Sequence, residues 1–192
     1  MATTKDTTKR RNAARTRNDL LRAARDLFGT KGYAGTTLRQ IGERASVDPA
    51  LVARYFGSKT AIYIASLEAD GASGEPATAG PGLAPEFVDR MIERITTLGA
   101  SPLLQAVVLP TSDDDVRDAT RRRVNEQYIS PVLQELATTG LDHPRLRAEI
   151  AFAALTGIVL ARSAGMFETL ADAAHADVVE LTLRTIRTVL EA

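Results

Sequence analysis

The chain has 192 residues, 44% of them hydrophobic and 25% charged, the composition of a globular protein long enough for one full core and a small added module. It has no Cys and no Trp, which excludes disulfides, thiolate metal sites and a Cys nucleophile; with only four Tyr and five Phe, the core must be built mainly from Ala, Leu, Val and Ile. The net charge is zero but unevenly spread: residues 1–60 hold 13 Lys and Arg against five Asp and Glu, and residues 61–192 hold 11 against 19.

Such asymmetry suits a chain whose front meets a polyanion, although charge alone fits a solvated basic face equally well. Residues 1–11 are polar and basic, with no apolar period, and are expected to be a disordered arm. From about Arg15 to Thr30, Leu20, Leu21, Ala24, Leu27 and Phe28 share one helical face, and Gly29 and Gly32 end the pattern. The first apolar pair, Leu20–Leu21, follows a basic stretch rather than a signal peptide. The longest apolar run, Ile150–Leu160 apart from Thr156, is too short to span a bilayer. A cytoplasmic protein with no membrane partner is therefore expected.

Thr37-Leu38-Arg39-Gln40 has capping-box spacing and opens a short helix to about residue 45. Asp48-Pro49 opens a second, because Asp accepts from orphan amides and Pro suits the first helical position. That helix ends near Phe56, and Gly57-Ser58 restarts another that runs to about Asp70. Two short helices separated by Ser46-Val47-Asp48 predict a helix-turn-helix, the first helix bracing and the second entering the major groove. Residues 71–85 hold four Gly and three Pro and read as a loop. Helices follow at about 85–98, 101–110, 113–138, 144–164 and 175–191, with a short one near 166–173.

Residues 15–67 resemble the N-terminal domain of the tetracycline-repressor (TetR) family. The resemblance rests on Ala23-Ala24-Arg25-Asp26-Leu27-Phe28, Lys31-Gly32-Tyr33, Thr36-Thr37-Leu38-Arg39-Gln40-Ile41, Glu43-Arg44-Ala45, Val47, and Tyr55-Phe56-Gly57-Ser58-Lys59. It implies an all-α fold: an N-terminal three-helix helix-turn-helix domain plus a C-terminal helical domain for ligand binding and dimerisation. The expected divisions are 1–11 (arm), 12–58 (DNA-binding), 59–70 (connecting helix), 71–85 (loop) and 86–192 (ligand and dimer).

Several residues then become candidates for DNA contact. Thr37 and Lys59 stand at helix starts, where amides and the helix dipole favour phosphate, and Tyr55 occupies a family position that looks like a phosphate contact. Pro49, Ala50 and Arg54 are the expected groove-facing residues, with Arg39 projecting from the bracing helix. Lys9, Arg10 and Arg11 would reach the backbone or minor groove. Leu38, Ile41, Val47, Val52 and Phe56 are expected in the core. The sequence departs from the family twice. Ala53 stands where a tyrosine or polar residue commonly faces the backbone. Ser46 replaces the usual glycine, which carries strain if that position is left-handed.

Beyond residue 70 the resemblance fades. Ala153, Gly157 and Ala161 form a small-residue stripe, and Val179, Leu183, Ile186 and Leu190 lie on a last helix that is apolar on more than one side. These seven are the dimer-interface candidates, an internal core being the alternative. Phe87, Met91, Leu104, Val108, Tyr128, Phe152, Met166 and Phe167 are candidates for an effector pocket, though each alone fits plain core. Arg162 would snorkel, pair across a dimer or meet an acidic ligand. His143 and His175 are expected to cap helices, and Asp113 is expected to start one.

The leading reading is a homodimeric repressor that binds a palindromic double-stranded DNA operator and is released by a small apolar or amphipathic effector of unknown identity. A DNA-binding regulator governed by a protein partner, or lacking any effector, is the alternative, and a helical-bundle enzyme a remote one. No catalytic motif, metal site or cofactor motif stands out, so catalytic residues, metal and cofactor are all expected to be absent.

Overall fold

Between Thr4 and Phe28 the chain has neither Gly nor Pro, and a single helix, α1, runs from Thr4 to Lys31 in the computed structural model, which describes residues 4–72, 85–98, 101–109 and 111–191. Residues 4–11 are thus helical, where a disordered arm was expected. Their Lys and Arg are good helix formers, which their Thr and Asp6 are not, and extending a helix already anchored by packing adds a hydrogen bond for each residue fixed. The anchor is the face formed by Leu20, Ala23, Ala24 and Phe28, all buried. Helix α1 ends at Gly32, whose φ of +69° places it in the left-handed region while its N–H bonds Phe28 O at 3.0 Å.

Helices α2 (Leu38–Arg44) and α3 (Pro49–Phe56) start as their sequences dictate. Thr37 Oγ1 accepts from Gln40 N while Gln40 Oε1 accepts from Thr37 N, completing the capping box. Asp48 Oδ1 accepts from Ala50 N at 2.8 Å, with Pro49 at the first helical position. Between the helices Ser46 has a φ of +55°, so the strain expected there is present. A left-handed conformation costs a non-glycine residue about 1–2 kcal/mol, whereas glycine's extra freedom in the unfolded chain costs about 0.5–1 kcal/mol. Ser46→Gly should therefore stabilise the protein by up to about 1 kcal/mol, visible as a higher midpoint in thermal melts.

Gly42 lets α2 and α3 meet closely. A Cβ at this position would sit 2.8 Å from Pro49 Cα and 2.9 Å from Val47 O. Ile41 and Val52 are fully buried, whereas Leu38, Val47 and Phe56 are only partly so. The Arg17 guanidinium lies over the outer face of Phe56, 4.9 Å from the ring centroid.

Ser58 Oγ accepts from Ala61 N at 3.0 Å and starts α4 (Lys59–Ala72), which buries Ile62, Tyr63 and Leu67. Tyr63 meets Phe28 edge-on at 4.8 Å and donates its hydroxyl to Pro102 O at 3.2 Å. That carbonyl belongs to α6 (Pro102–Val108), which packs on α1 and buries Leu103 and Leu104. One compact unit is thus made from Met1–Asp70 and Ser101–Thr120, two stretches distant in sequence.

The other unit comprises Gly71–Ala100 and Arg121–Ala192. It holds α5 (Pro85–Leu98), the end of α7 (Asp114–Val124), α8 (Ser130–Leu136), α9 (Pro144–Ser163), α10 (Glu168–Asp172) and α11 (His175–Glu191). Helix α9 is central, packing on α5, α8, α10 and α11, with Ala148, Ala151, Phe152, Leu155 and Val159 buried. The uniform helix expected over 113–138 contains a π-helical turn, Asn125–Ile129, in which Ser130 N–H bonds Asn125 O. Pro131 accounts for it. Proline has no N–H to give Gln127 O and its ring crowds that carbonyl, so the helix widens just before it.

His143 precedes α9 with a φ of +54° and makes no side-chain cap, contrary to expectation. His175 does not cap either; its Nε2 meets Asp89 Oδ1 at 2.7 Å. Among the described residues there is no strand, and no helix is long and apolar enough to cross a membrane.

Candidate nucleic-acid interface

The cap at Asp48 and the contact at Gly42 fix how α3 is presented. Val52 faces inward, while Pro49, Ala50, Ala53 and Arg54 are exposed along the opposite side. Arg54 makes no ion pair among the described residues, so its five-donor fork is open to a ligand. Tyr55 is half-buried on the flank of the helix. Thr37 is exposed at the start of α2. Arg39 is exposed but paired, its Nε 2.7 Å from Glu43 Oε1, and that carboxylate raises its pKa. Arg11 is exposed on α1, and the side chains of Lys9 and Arg10 lie outside the described residues.

Lys59 is held more firmly than its sequence position suggests. Its Nζ lies 4.3 Å from the centroid of the Tyr33 ring and 3.5 Å from Ala34 O. Burial lowers its pKa, partly opposed by the charge of Asp113. Tyr33 in turn donates to Asp113 Oδ2 at 2.8 Å, and Thr60 Oγ1 donates to the same oxygen at 3.0 Å. Asp113 Oδ1 accepts from Val116 N at 3.1 Å, the helix-starting role expected of it.

This hub joining residues 33, 60 and 113 had no signal in the sequence beyond the cap. The hydrogen bond from Tyr33, with those from Val116 N and Thr60, holds the Asp113 carboxyl below the ordinary carboxylate range. A depressed carboxylate contributes stability above its unfolded pKa, about 3.9, and that contribution is lost as pH falls through the lower folded value. Asp113→Asn should therefore be less stable than the parent at neutral pH, with the gap closing in acid. Urea titrations at pH 7 and pH 3 would measure this.

The eight effector-pocket candidates are not gathered in one place. Met91 and Phe152 are buried in the second unit, where the half-buried Tyr128 stacks on Phe152 at 4.5 Å. Leu104 belongs to the core of the first unit, and Val108 is half-exposed there. A cavity of about 290 Å³ in that unit is lined by Tyr33, Tyr63, Gln105 and Leu109, among others, but by neither of those two. Met166 and Phe167 are 75% and 62% exposed, and the Phe87 side chain lies outside the described residues.

Of the dimer candidates, Ala153 and Gly157 are exposed, and Ala161, Val179, Leu183 and Leu190 partly so. Ile186 is only 1% exposed within its own chain and serves the core instead. Leu146 and Ile150 on α9 and Leu181 on α11, which are not among the seven candidates, are exposed as well. Arg162 neither snorkels nor stands free, since its Nη2 donates to Ala173 O at 2.9 Å.

Two family models match the chain. Residues 20–65 match "Bacterial regulatory proteins, tetR family", and residues 82–190, more than half of the chain, match "Tetracyclin repressor-like, C-terminal domain". The chain belongs to the TetR family.

Among curated TetR-family relatives, the HTH-type transcriptional repressor NicS of Pseudomonas putida is 35% identical over 68 residues, 35% of this chain and 32% of NicS. The HTH-type transcriptional regulator TcmR of Streptomyces glaucescens is 38% identical over 61 residues, 32% of this chain and 27% of TcmR. Each match thus spans about a third or less of the relative's length. In fold, this TetR-family chain superposes on the fatty acid degradation regulator FadR of Bacillus halodurans with a TM-score of 0.64 at 15% identity, covering 88% of this chain and 96% of that one. FadR of Bacillus subtilis, solved with stearoyl-CoA, gives 0.58 at 18% identity, covering 90% and 96%. The family is one of bacterial regulatory proteins, and the two curated relatives are described as a transcriptional repressor and a transcriptional regulator.

Proposed function

We propose that this regulator is a repressor that binds a palindromic operator as a homodimer and leaves it when a small apolar or amphipathic effector occupies the second unit. The observation that carries the reading is the outward face of α3, where a small, smooth surface ends in Arg54, which has no ion pair among the described residues. A helix with Pro49, Ala50 and Ala53 outermost approaches base edges closely, leaving Arg54 to donate to guanine O6 and N7. Thr37, Arg39, Tyr55, Lys59 and the basic N-terminal turns of α1 with Lys9, Arg10 and Arg11 would hold the phosphates. The repressor role is supported by NicS, which bears that description.

A second copy suits the exposed stripe on α9. Leu146, Ile150, Ala153 and Gly157 follow helical spacing along one side of that helix. Nothing lies within 4 Å of a Cβ built on Gly157, leaving room for a partner helix. Leu181 and the partly exposed Val179, Leu183 and Leu190 would extend the contact on α11, with Ala161 closing the stripe. Two-fold symmetry then presents two α3 helices to two half-sites. An apolar effector has a parallel in the stearoyl-CoA bound by Bacillus subtilis FadR.

Gel shifts with DNA from around the protein's own gene test the reading, together with light scattering. A dimer making about six or more phosphate contacts should lose on the order of 10³-fold in affinity between 50 and 200 mM salt. Salt-insensitive binding, or a persistent monomer at micromolar concentration, would count against it.

A further inference from the structure

A lysine that meets a phosphate gives up the freedom of a flexible four-carbon stem, and that loss counts against binding unless the side chain is already held. Lys59, the first residue of α4, is already held. Its Nζ lies 4.3 Å from the centroid of the Tyr33 ring and 3.5 Å from Ala34 O, and the residue is half-buried. An ammonium has three donors, so one ring face and one carbonyl leave it able to donate to a phosphate oxygen.

The ring is held in turn from far along the chain. Tyr33 meets Phe28 and Tyr63 with centroids 6.2 and 5.1 Å away, but it also borders the cavity of about 290 Å³, so packing does not enclose it on every side. Its hydroxyl supplies a further restraint by donating to Asp113 Oδ2 at 2.8 Å. Thr60, the next residue after Lys59 on α4, donates to the same oxygen at 3.0 Å. Asp113 therefore holds both the ring over which the ammonium lies and the turn of helix that carries it. The other carboxylate oxygen accepts from Val116 N, which ties the group to the start of α7. All of these residues belong to the first unit.

We propose that Tyr33 and Asp113 are positioning residues for DNA binding, which hold the Lys59 ammonium ready to meet a phosphate. This rests on the reading of Lys59 as a phosphate contact given above. It makes a prediction opposite in sign to simple electrostatics. An acidic side chain beside a DNA-binding surface repels phosphates, so removing its charge ordinarily tightens binding. Removing the charge of Asp113 should weaken it.

Fluorescence anisotropy tests this on the full chain, with a labelled duplex that the parent selects from a random DNA pool. Affinities are referred to the folded fraction seen by circular dichroism. Tyr33→Phe and Asp113→Asn should each weaken binding by about 3- to 10-fold, the scale of one hydrogen bond. Unrelated DNA should be weakened alike, and the salt slope should become shallower by up to about 0.9 for each bound copy. In a Lys59→Ala background the same two changes should alter affinity by less than about 2-fold, because they act through that lysine. Tyr63→Phe removes a hydroxyl in the same unit, the one donated to Pro102 O, and should leave affinity and salt slope unchanged. Tighter binding by Asp113→Asn, a full effect that persists without Lys59, or a Tyr63→Phe effect equal to that of Tyr33→Phe would overturn the proposal. If Lys59→Ala weakens binding while Tyr33→Phe and Asp113→Asn leave it unchanged, the positioning role alone fails. If Lys59→Ala itself has no effect, the phosphate contact fails and the positioning role with it.

Discussion

Gly42→Ala should destabilise the protein by about 1–3 kcal/mol or more, although alanine is the better helix former by about 1 kcal/mol. The two effects oppose each other, and the geometry decides between them. The added Cβ would meet Pro49 Cα at 2.8 Å, Val47 O at 2.9 Å and Pro49 N at 3.0 Å. All three are backbone atoms, so no side-chain rotation relieves the clash, and α3 has to move away from α2. The midpoint should fall by about 2–4 °C per kcal/mol for a chain of this size. Operator affinity should fall further than the loss of folded protein explains, because a shifted α3 presents Arg54 wrongly. Thermal melts and fluorescence anisotropy on the same samples would check both, and an unchanged or raised midpoint would refute the close-packing argument.

Arg54→Ala should weaken binding to the preferred operator by about 5- to 150-fold, the equivalent of 1–3 kcal/mol for a bidentate base contact. Its effect on unrelated DNA should be much smaller, and base preference should relax at one position in each half-site. Lys59→Ala should behave differently. A phosphate contact has no sequence information, so every DNA should be weakened alike and the salt dependence should become shallower. Because Lys59 also lies over the Tyr33 ring, this variant should lose some thermal stability, whereas Arg54→Ala should not. Selection of bound fragments from a random DNA pool would separate the two. Identical preferences in both variants would remove Arg54 from the base-reading role.

Much of the reader was legible because its determinants are local. The capping box at Thr37 and Gln40, the Asp48-Pro49 start and the Ser58 restart each act within four residues, and all three are present as their sequences imply. The left-handed Ser46 was legible for the same reason. What escaped notice depends on distance along the chain. Nothing near Tyr33 or Thr60 shows that both donate to Asp113. The helical start of α1 was missed because polar composition describes exposure and does not forbid a helix continued from an anchored core. The effector candidates scattered because an apolar residue in a helical protein reads alike whether it lines a cavity, fills the core, as Leu104 does, or lies on the surface, as Phe167 does.

The two-part origin of the first unit also bears on when this protein can fold. Tyr33 and Asp113 are 80 positions apart, and α1 packs on a helix that begins at Pro102. During synthesis the N-terminal residues therefore emerge long before their packing partners do, and contacts of such separation are slow to close. A fragment ending near residue 70, where the sequence alone suggests a natural cut, would carry α1 without α6 and Tyr63 without its Pro102 acceptor. Such a fragment should be prone to aggregate, and its failure to bind DNA would report an unfinished fold rather than a missing contact.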